Sequence, residues 1–128
     1  MKLEQPLKII TKYNIKLLVV FGSFGTEYMT KDSDLDLGYL SEELLSQEQE
    51  LQLLQDLIKF YQRSNIDLVN LRKATPGLKF EIARKGRVIF EQKEEFLEFQ
   101  LYASHVFADT KHLREMRKEV LDSKIEQL

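Results

Sequence analysis

Asp34 and Asp36 are separated by a single leucine in the run Asp34-Leu35-Asp36-Leu37-Gly38-Tyr39-Leu40, where acidic or small residues alternate with apolar ones. A period of two is that of a β-strand with one apolar face. Leu35 and Leu37 then face a core, and both carboxylates leave from the other side with Cα atoms roughly 6.5 Å apart. Aspartate is a poor strand former, and two such charges about 5 Å apart at an effective dielectric of ~20 repel by roughly 3 kcal/mol. A solvated strand face screens that repulsion. A hard divalent cation reverses it, because Mg2+ takes one or two carboxylates together with phosphate oxygens. Asp67 stands in a second apolar run, Ile66-Asp67-Leu68-Val69. If the two runs are neighbours in a sheet, three carboxylates meet, enough for two Mg2+ ions about 3.5–4 Å apart, the arrangement used for in-line phosphoryl chemistry. Gly22-Ser23 directly follows a third apolar run. A strand that ends in glycine and leads into a helix start offers free N–H groups and a helix dipole to a phosphate, and glycine lets the backbone approach the anion closely.

The elements that must position these residues follow from patterning. The apolar, β-branched run Ile15-Lys16-Leu17-Leu18-Val19-Val20-Phe21 predicts a buried strand. Ser23 can cap a short helix through about Met29, and Asp32 with Ser33 forms the turn into the Asp34 strand. Residues 46–63 place Leu51, Leu54, Leu57, Ile58 and Tyr61 at helical spacing, and Ser46 with Gln49 fits a capping box. Residues 65–71 predict a third strand. Thr75 followed by Pro76 opens a helix that Gly86 closes, with Leu78 and Ile82 on one side. Residues 87–91 predict a fourth strand. From Lys93 the pattern is helical, with one stripe of Phe96, Phe99, Ala103, Val106 and Phe107, another of Leu113, Met116 and Val120, and a break near residues 108–110. Strands thus alternate with helices, which predicts an α/β or α+β domain with a small sheet, helices packed mainly on one side and a helical C-terminus. Strand order and direction stay open.

The chain of 128 residues is about the size of one domain. Apolar residues at 43% and charged residues at 31% describe an ordinary globular composition. No stretch approaches the ~18 apolar residues of a membrane span, and the N-terminus lacks the apolar segment of a signal peptide. A cytoplasmic location is expected. The absence of cysteine excludes disulfides, thiolate metal sites and thiol catalysis. A net charge of −2 argues against direct nucleic-acid binding. Six basic residues (Arg72, Lys73, Lys79, Arg84, Lys85 and Arg87) against the one acid Glu81 make a local exception, either a solvated face or a phosphate-facing patch. His105 and His112 read as helix-surface residues without chemistry.

The stretches Val19-Val20-Phe21-Gly22-Ser23 and Lys31-Asp32-Ser33-Asp34-Leu35-Asp36-Leu37, followed by Ile66-Asp67-Leu68-Val69, together resemble the nucleotidyltransferase superfamily typified by DNA polymerase beta. More narrowly they resemble its minimal nucleotidyltransferase (MNT) group. The resemblance implies one domain over residues 1–128, with a polymerase-beta-like core at about 8–91 and C-terminal helices at about 93–125. It implies ATP as substrate, with Gly22 and Ser23 holding the outer phosphates. Asp34, Asp36 and Asp67 would hold two Mg2+ ions, and Asp67 is the candidate base. The implied partner is a HEPN-domain ribonuclease toxin, neutralised by transfer of AMP to one of its tyrosines. Two other readings remain: transfer to a small hydroxyl compound, as in aminoglycoside nucleotidyltransferases, and a non-catalytic antitoxin that acts by contact alone. Family members often carry a basic residue after Gly-Ser and a glycine four residues after the serine. Phe24 and Glu27 stand there instead, with Gly25 as the small residue the turn needs. The aromatic residues Phe96, Phe99, Tyr102 and Phe107 suit either self-packing or a protein interface.

Overall fold

Ile15–Phe21 forms strand β1 at the middle of a four-stranded sheet in the computed structural model, which describes residues 3–27, 29–30 and 33–126. Beyond residue 108 side chains are described only at Glu115 and Lys118, so the stripe of Leu113, Met116 and Val120 and the side chain of His112 lie outside the described residues. So do Lys31 and Asp32, and with them the turn expected at Asp32. Helix α1 (Leu7–Lys12) leads into β1. β2 (Leu35–Ser41), α2 (Gln47–Tyr61), β3 (Ile66–Asn70), α3 (Pro76–Lys85), β4 (Arg87–Glu91) and α4 (Glu95–Glu126) follow. The sheet order is β3-β2-β1-β4. β1 runs antiparallel to β2 and β4, whereas β2 and β3 are parallel, so the sheet is mixed.

The central strand β1 is apolar on both faces. A register irregularity between Ile15 and Leu17 sends Ile15, Leu18 and Val20 to one side, where they join Leu35, Leu37 and Tyr39 of β2 under α1 and α2. Leu17 and Val19 face the other side, with Leu71, Ile82, Ala83, Phe99 and Ala103 under α3 and α4. Helices therefore cover both faces, two on each, rather than mainly one. A strand with no polar face requires this, since each exposed face would leave leucine and valine in water.

Several elements match their sequence signals. Ser46 caps α2 in a reciprocal capping box with Gln49. Thr75 accepts from the Leu78 N–H, with Pro76 at the first helical position. Gly86 ends α3 at φ −65°, so it serves there by close approach and not by a left-handed turn: a Cβ would collide with the Ile82 carbonyl.

Other expectations are corrected. No helix follows Ser23; residues 22–27 are turns and bends, because Gly25, inside the expected span, holds φ at 76°, outside a right-handed helix. α1 had no signal, being little more than one turn with no side-chain cap at Pro6. It is held by tertiary contacts instead. The Tyr13 hydroxyl donates to Asp56 of α2 at 2.6 Å and Lys12 donates at 3.0 Å, and these bonds, Tyr13's first, hold the Asp56 carboxyl below its usual pKa. The buried line of α2 is Leu53 and Leu57, and Leu51 is exposed. α4 runs unbroken through residues 108–110, where no proline or glycine interrupts it. Of its aromatic residues, Phe99 is buried and Phe107 stacks on Phe80 of α3 at 4.2 Å, so both self-pack, while Tyr102 is exposed.

Gly38 in β2 faces the α3–α4 side, where an added Cβ would lie 2.8 Å from Leu71 Cδ2 and 3.2 Å from Val19 Cγ2. Gly38→Ala is expected to lower stability by about 1–3 kcal/mol through overpacking, read as a lower urea midpoint at unchanged slope.

Candidate active site

The register of the sheet brings the acidic residues together. Phe21 of β1 pairs with Asp36 of β2, which pairs with Asp67 of β3 on its other side. Leu35 and Leu37 point into the α1–α2 core, so Asp36 projects from the α3–α4 face. Asp67 lies between Ile66 and Leu68, which pack toward that same core, and so shares the face of Asp36. Asp34 falls one residue outside β2 and is exposed, Asp36 is half-buried and Asp67 is exposed. Burial raises the Asp36 pKa above its ordinary value, and the charges of Asp67 and Asp34 push in the same direction. Among the described residues none of the three is ion-paired. They share a field without forming a closed cage: among the described residues no group of three acidic or histidine side chains stands ready around one point.

Beside this rung lies the turn of residues 22–27. Gly22 stands so close to Asp36 that a Cβ on it would overlap carboxylate oxygen Oδ2. Ser23 donates to Ser33 Oγ at 3.4 Å, and its carbonyl accepts from the Thr26 N–H at 3.0 Å. Among the described residues nothing accepts from the N–H of Ser23 or Phe24. Successive N–H groups around a left-handed residue form an anion-binding concavity.

Phe24 anchors this turn. It is 4% exposed and belongs to the α1–α2 core. The Arg63 guanidinium lies over its ring at 4.8 Å, and Arg87 donates to its carbonyl at 2.6 Å. Arg63 also donates to the Ser33 carbonyl at 2.8 Å, where Asn65 donates too, and the Leu35 N–H returns a bond to the Asn65 carbonyl. One guanidinium thus fastens the Gly22-Ser23 turn and the segment entering Asp34 to the start of β3.

A cleft of about 550 Å3 opens next to the turn, lined by Gly22, Ser23 and Thr26 on one side and by Glu81, Lys85 and Arg87 on the other, with Glu27 at its edge. The basic segment therefore divides. Arg72 donates to the Ser41 and Glu42 carbonyls at the far end of β2, and Lys79 is buried against the Tyr102 ring. Arg84 lies over Phe80, and only Lys85 and Arg87 line the cleft.

Residues 4–95 match the family described as Polymerase beta, Nucleotidyltransferase. The chain belongs to this nucleotidyltransferase family. It is 25% identical over 108 residues to the protein adenylyltransferase MntA of Shewanella oneidensis, covering 84% of this chain and 75% of that one. Its fold is that of a chain in a toxin–antitoxin crystal structure with AMP-PNP, at TM-score 0.71 and 21% identity, covering 93% of this chain and 94% of the other. A complex of tri-AMPylated Shewanella oneidensis HEPN toxin with MNT antitoxin gives TM-score 0.65 at 21% identity, covering 93% and 92%.

Within this nucleotidyltransferase frame, the sequence singles out Gly22, Ser23, Asp34, Asp36 and Asp67, which the strand pairing brings to one end of the sheet, and gives no sign of Arg63 as the residue that ties them. Its only signal was a charged residue just past an amphipathic helix, which is common. Gly25, expected as the small residue the turn needs, takes a left-handed conformation there, and Glu27 is exposed at the cleft edge. His105 is exposed on α4. Among the described residues no helix is long and apolar enough to cross a membrane.

Proposed function

We propose that this nucleotidyltransferase moves AMP from ATP to a tyrosine hydroxyl of a HEPN-type ribonuclease toxin and so acts as its antitoxin. The observation that carries the reading is the rung on which Asp36 stands between Phe21 and Asp67, against Gly22. The similarity to a protein adenylyltransferase and to a toxin–antitoxin chain points to the acceptor.

Three carboxylates without a cation partner among the described residues, one of them half-buried and raised in pKa by burial first and by the other two next, fit hard divalent cations. An incomplete cage suits Mg2+, which keeps waters and completes its shell with substrate phosphates. Asp34, Asp36 and Asp67 would hold two such ions, which supply charge neutralisation at the triphosphate and a lowered pKa for the acceptor hydroxyl. The Gly22-Ser23 turn binds the outer phosphates through its free N–H groups. Asp67, exposed at the start of β3, receives the proton of the attacking tyrosine. The hydroxyl oxygen bonds the α-phosphorus and pyrophosphate leaves. The chain's work is orientation and electrostatic stabilisation, as in phosphoryl transfer generally. The reaction belongs in the cytoplasm, which supplies ATP.

The test is intact-mass spectrometry of a cognate HEPN protein after incubation with this chain, ATP and Mg2+. A gain of one or more AMP units, lost with Asp34→Ala/Asp36→Ala, is the expected result. No gain despite ATP binding would redirect the reading to a small hydroxyl acceptor. Neither gain nor ATP binding would leave neutralisation by contact.

A further inference from the structure

Arg87 is the first residue of β4 and pairs with Val20, next to the point where β1 turns into Gly22-Ser23. Its Nη2 donates to the Phe24 carbonyl at 2.6 Å, which fixes the guanidinium beside the turn. An arginine has five N–H donors, so most of them remain for the cleft that Arg87 lines with Gly22, Ser23 and Thr26. Among the described residues no carboxylate pairs with it. The neighbouring Lys85 is already paired, to Glu81 one helical turn earlier at 2.9 Å. Among the described residues the cleft therefore holds a tethered guanidinium with no ion pair, facing a turn whose Ser23 and Phe24 N–H groups have no acceptor. The acidic groups of the lining are Glu81, paired to Lys85, and Glu27 at the edge, while the turn and Arg87 present donors to each other across a cavity of about 550 Å3, large enough for a nucleotide-sized ligand.

We infer that Arg87 binds the outer phosphates of the nucleoside triphosphate, closing the Gly22-Ser23 turn from the opposite wall. Glu81 restrains Lys85 from joining it. This rests on the nucleotidyltransferase reading above and names a specific phosphate ligand within it. A planar fork suits two phosphate oxygens at once, and the tether to Phe24 removes much of the cost of ordering the side chain.

The test compares Arg87→Gln with the unaltered chain by calorimetric titration of ATP and of AMP in the presence of Mg2+. Glutamine retains a donor for the Phe24 carbonyl and loses the charge. ATP binding is expected to weaken by about 10- to 100-fold, while AMP binding, which lacks the outer phosphates, is unchanged. Glu81→Gln is expected to tighten ATP binding severalfold by releasing Lys85, and it tests the cleft even if Arg87→Gln fails to fold. Unaltered ATP affinity in Arg87→Gln would overturn the inference, and so would an equal loss for ATP and AMP, which would mark Arg87 as a brace for the turn. If the unaltered chain binds no ATP, the nucleotidyltransferase reading fails first.

Discussion

Asp36→Asn is expected to give a protein that melts higher than the parent and transfers nothing. The Asp36 carboxyl is half-buried beside two other carboxylates, and its pKa is raised by burial first and by Asp67 and Asp34 next. A raised carboxyl pKa means that the fold disfavours the ionised form. That burden is absent below the ordinary carboxylate pKa, grows as the pH rises through the raised one and is fully present at neutrality. Asparagine keeps the shape and removes the charge. With the repulsion discounted for the exposure of Asp34 and Asp67, the gain is about 1 kcal/mol, a rise in Tm of about 3 °C. Transfer should fall by at least about 10^2- to 10^3-fold, the usual loss when one preorganised electrostatic contact to the reacting phosphoryl group is removed. Mg2+ should raise the Tm of the parent and leave that of Asp34→Asn/Asp36→Asn unmoved, since only the parent has a binding free energy to gain. Paired melting curves with and without Mg2+, with transfer followed by mass, check all of this. A variant that melts lower would show that Asp36 stabilises the apo fold, against the electrostatics described here.

Gly22→Ala is expected to have the largest effect of any single methyl group added to the chain. At φ 74° an alanine costs about 1–2 kcal/mol relative to glycine. Its Cβ would also occupy the space of Asp36 Oδ2. Either the turn or the carboxylate must move, and both are parts of the site. A displacement of about 1 Å in a positioned group can cost about 10^2-fold in rate. The expected outcome is a folded protein with circular dichroism close to the parent, a Tm lower by about 3–6 °C, and transfer down by about 10^2-fold or more. Near-parental transfer would show that the backbone approach between Gly22 and Asp36 is dispensable.

The residues of the candidate site were legible because they break local rules. Asp34 and Asp36 interrupt a strand with charge, Asp67 does the same in a second strand, and Gly22 ends a third. Such violations are visible one residue at a time. Parallel pairing of β2 and β3, which converts these separate oddities into one site, was not legible, because strand order is decided by which faces must be covered. The turn after Ser23 was misread as a helix because serine is a good cap, whereas Gly25, whose positive φ forbids a helix there, shows its conformation only in three dimensions. Arg63 escaped for the same reason, and Arg87 stood out only as one of six basic residues of a possible phosphate-facing patch. Their partners lie 30 and 63 residues away, and nothing in their neighbours announces either bond. The double covering of the sheet was written in the consecutive apolar residues Leu17 to Val20, but a buried run of that length does not say which helices will lie on which face.

The backbone ladder that sets Phe21, Asp36 and Asp67 level with one another has an evolutionary corollary. Its hydrogen bonds fix where β1 leaves the sheet and where β2 enters it, and the side chain of Arg63 clasps the returning end. Residues between these points can be inserted or deleted at the outer edge of the connection without sliding one strand past another. Beyond the anchored Phe24 and short of the clasped Ser33, the interval along the chain then records the length of a spacer rather than the geometry of the site. Descendants of this sequence could drift in that interval and keep their chemistry, whereas a single residue gained or lost inside β2 would turn Asp36 into the leucine-lined interior and end it at once.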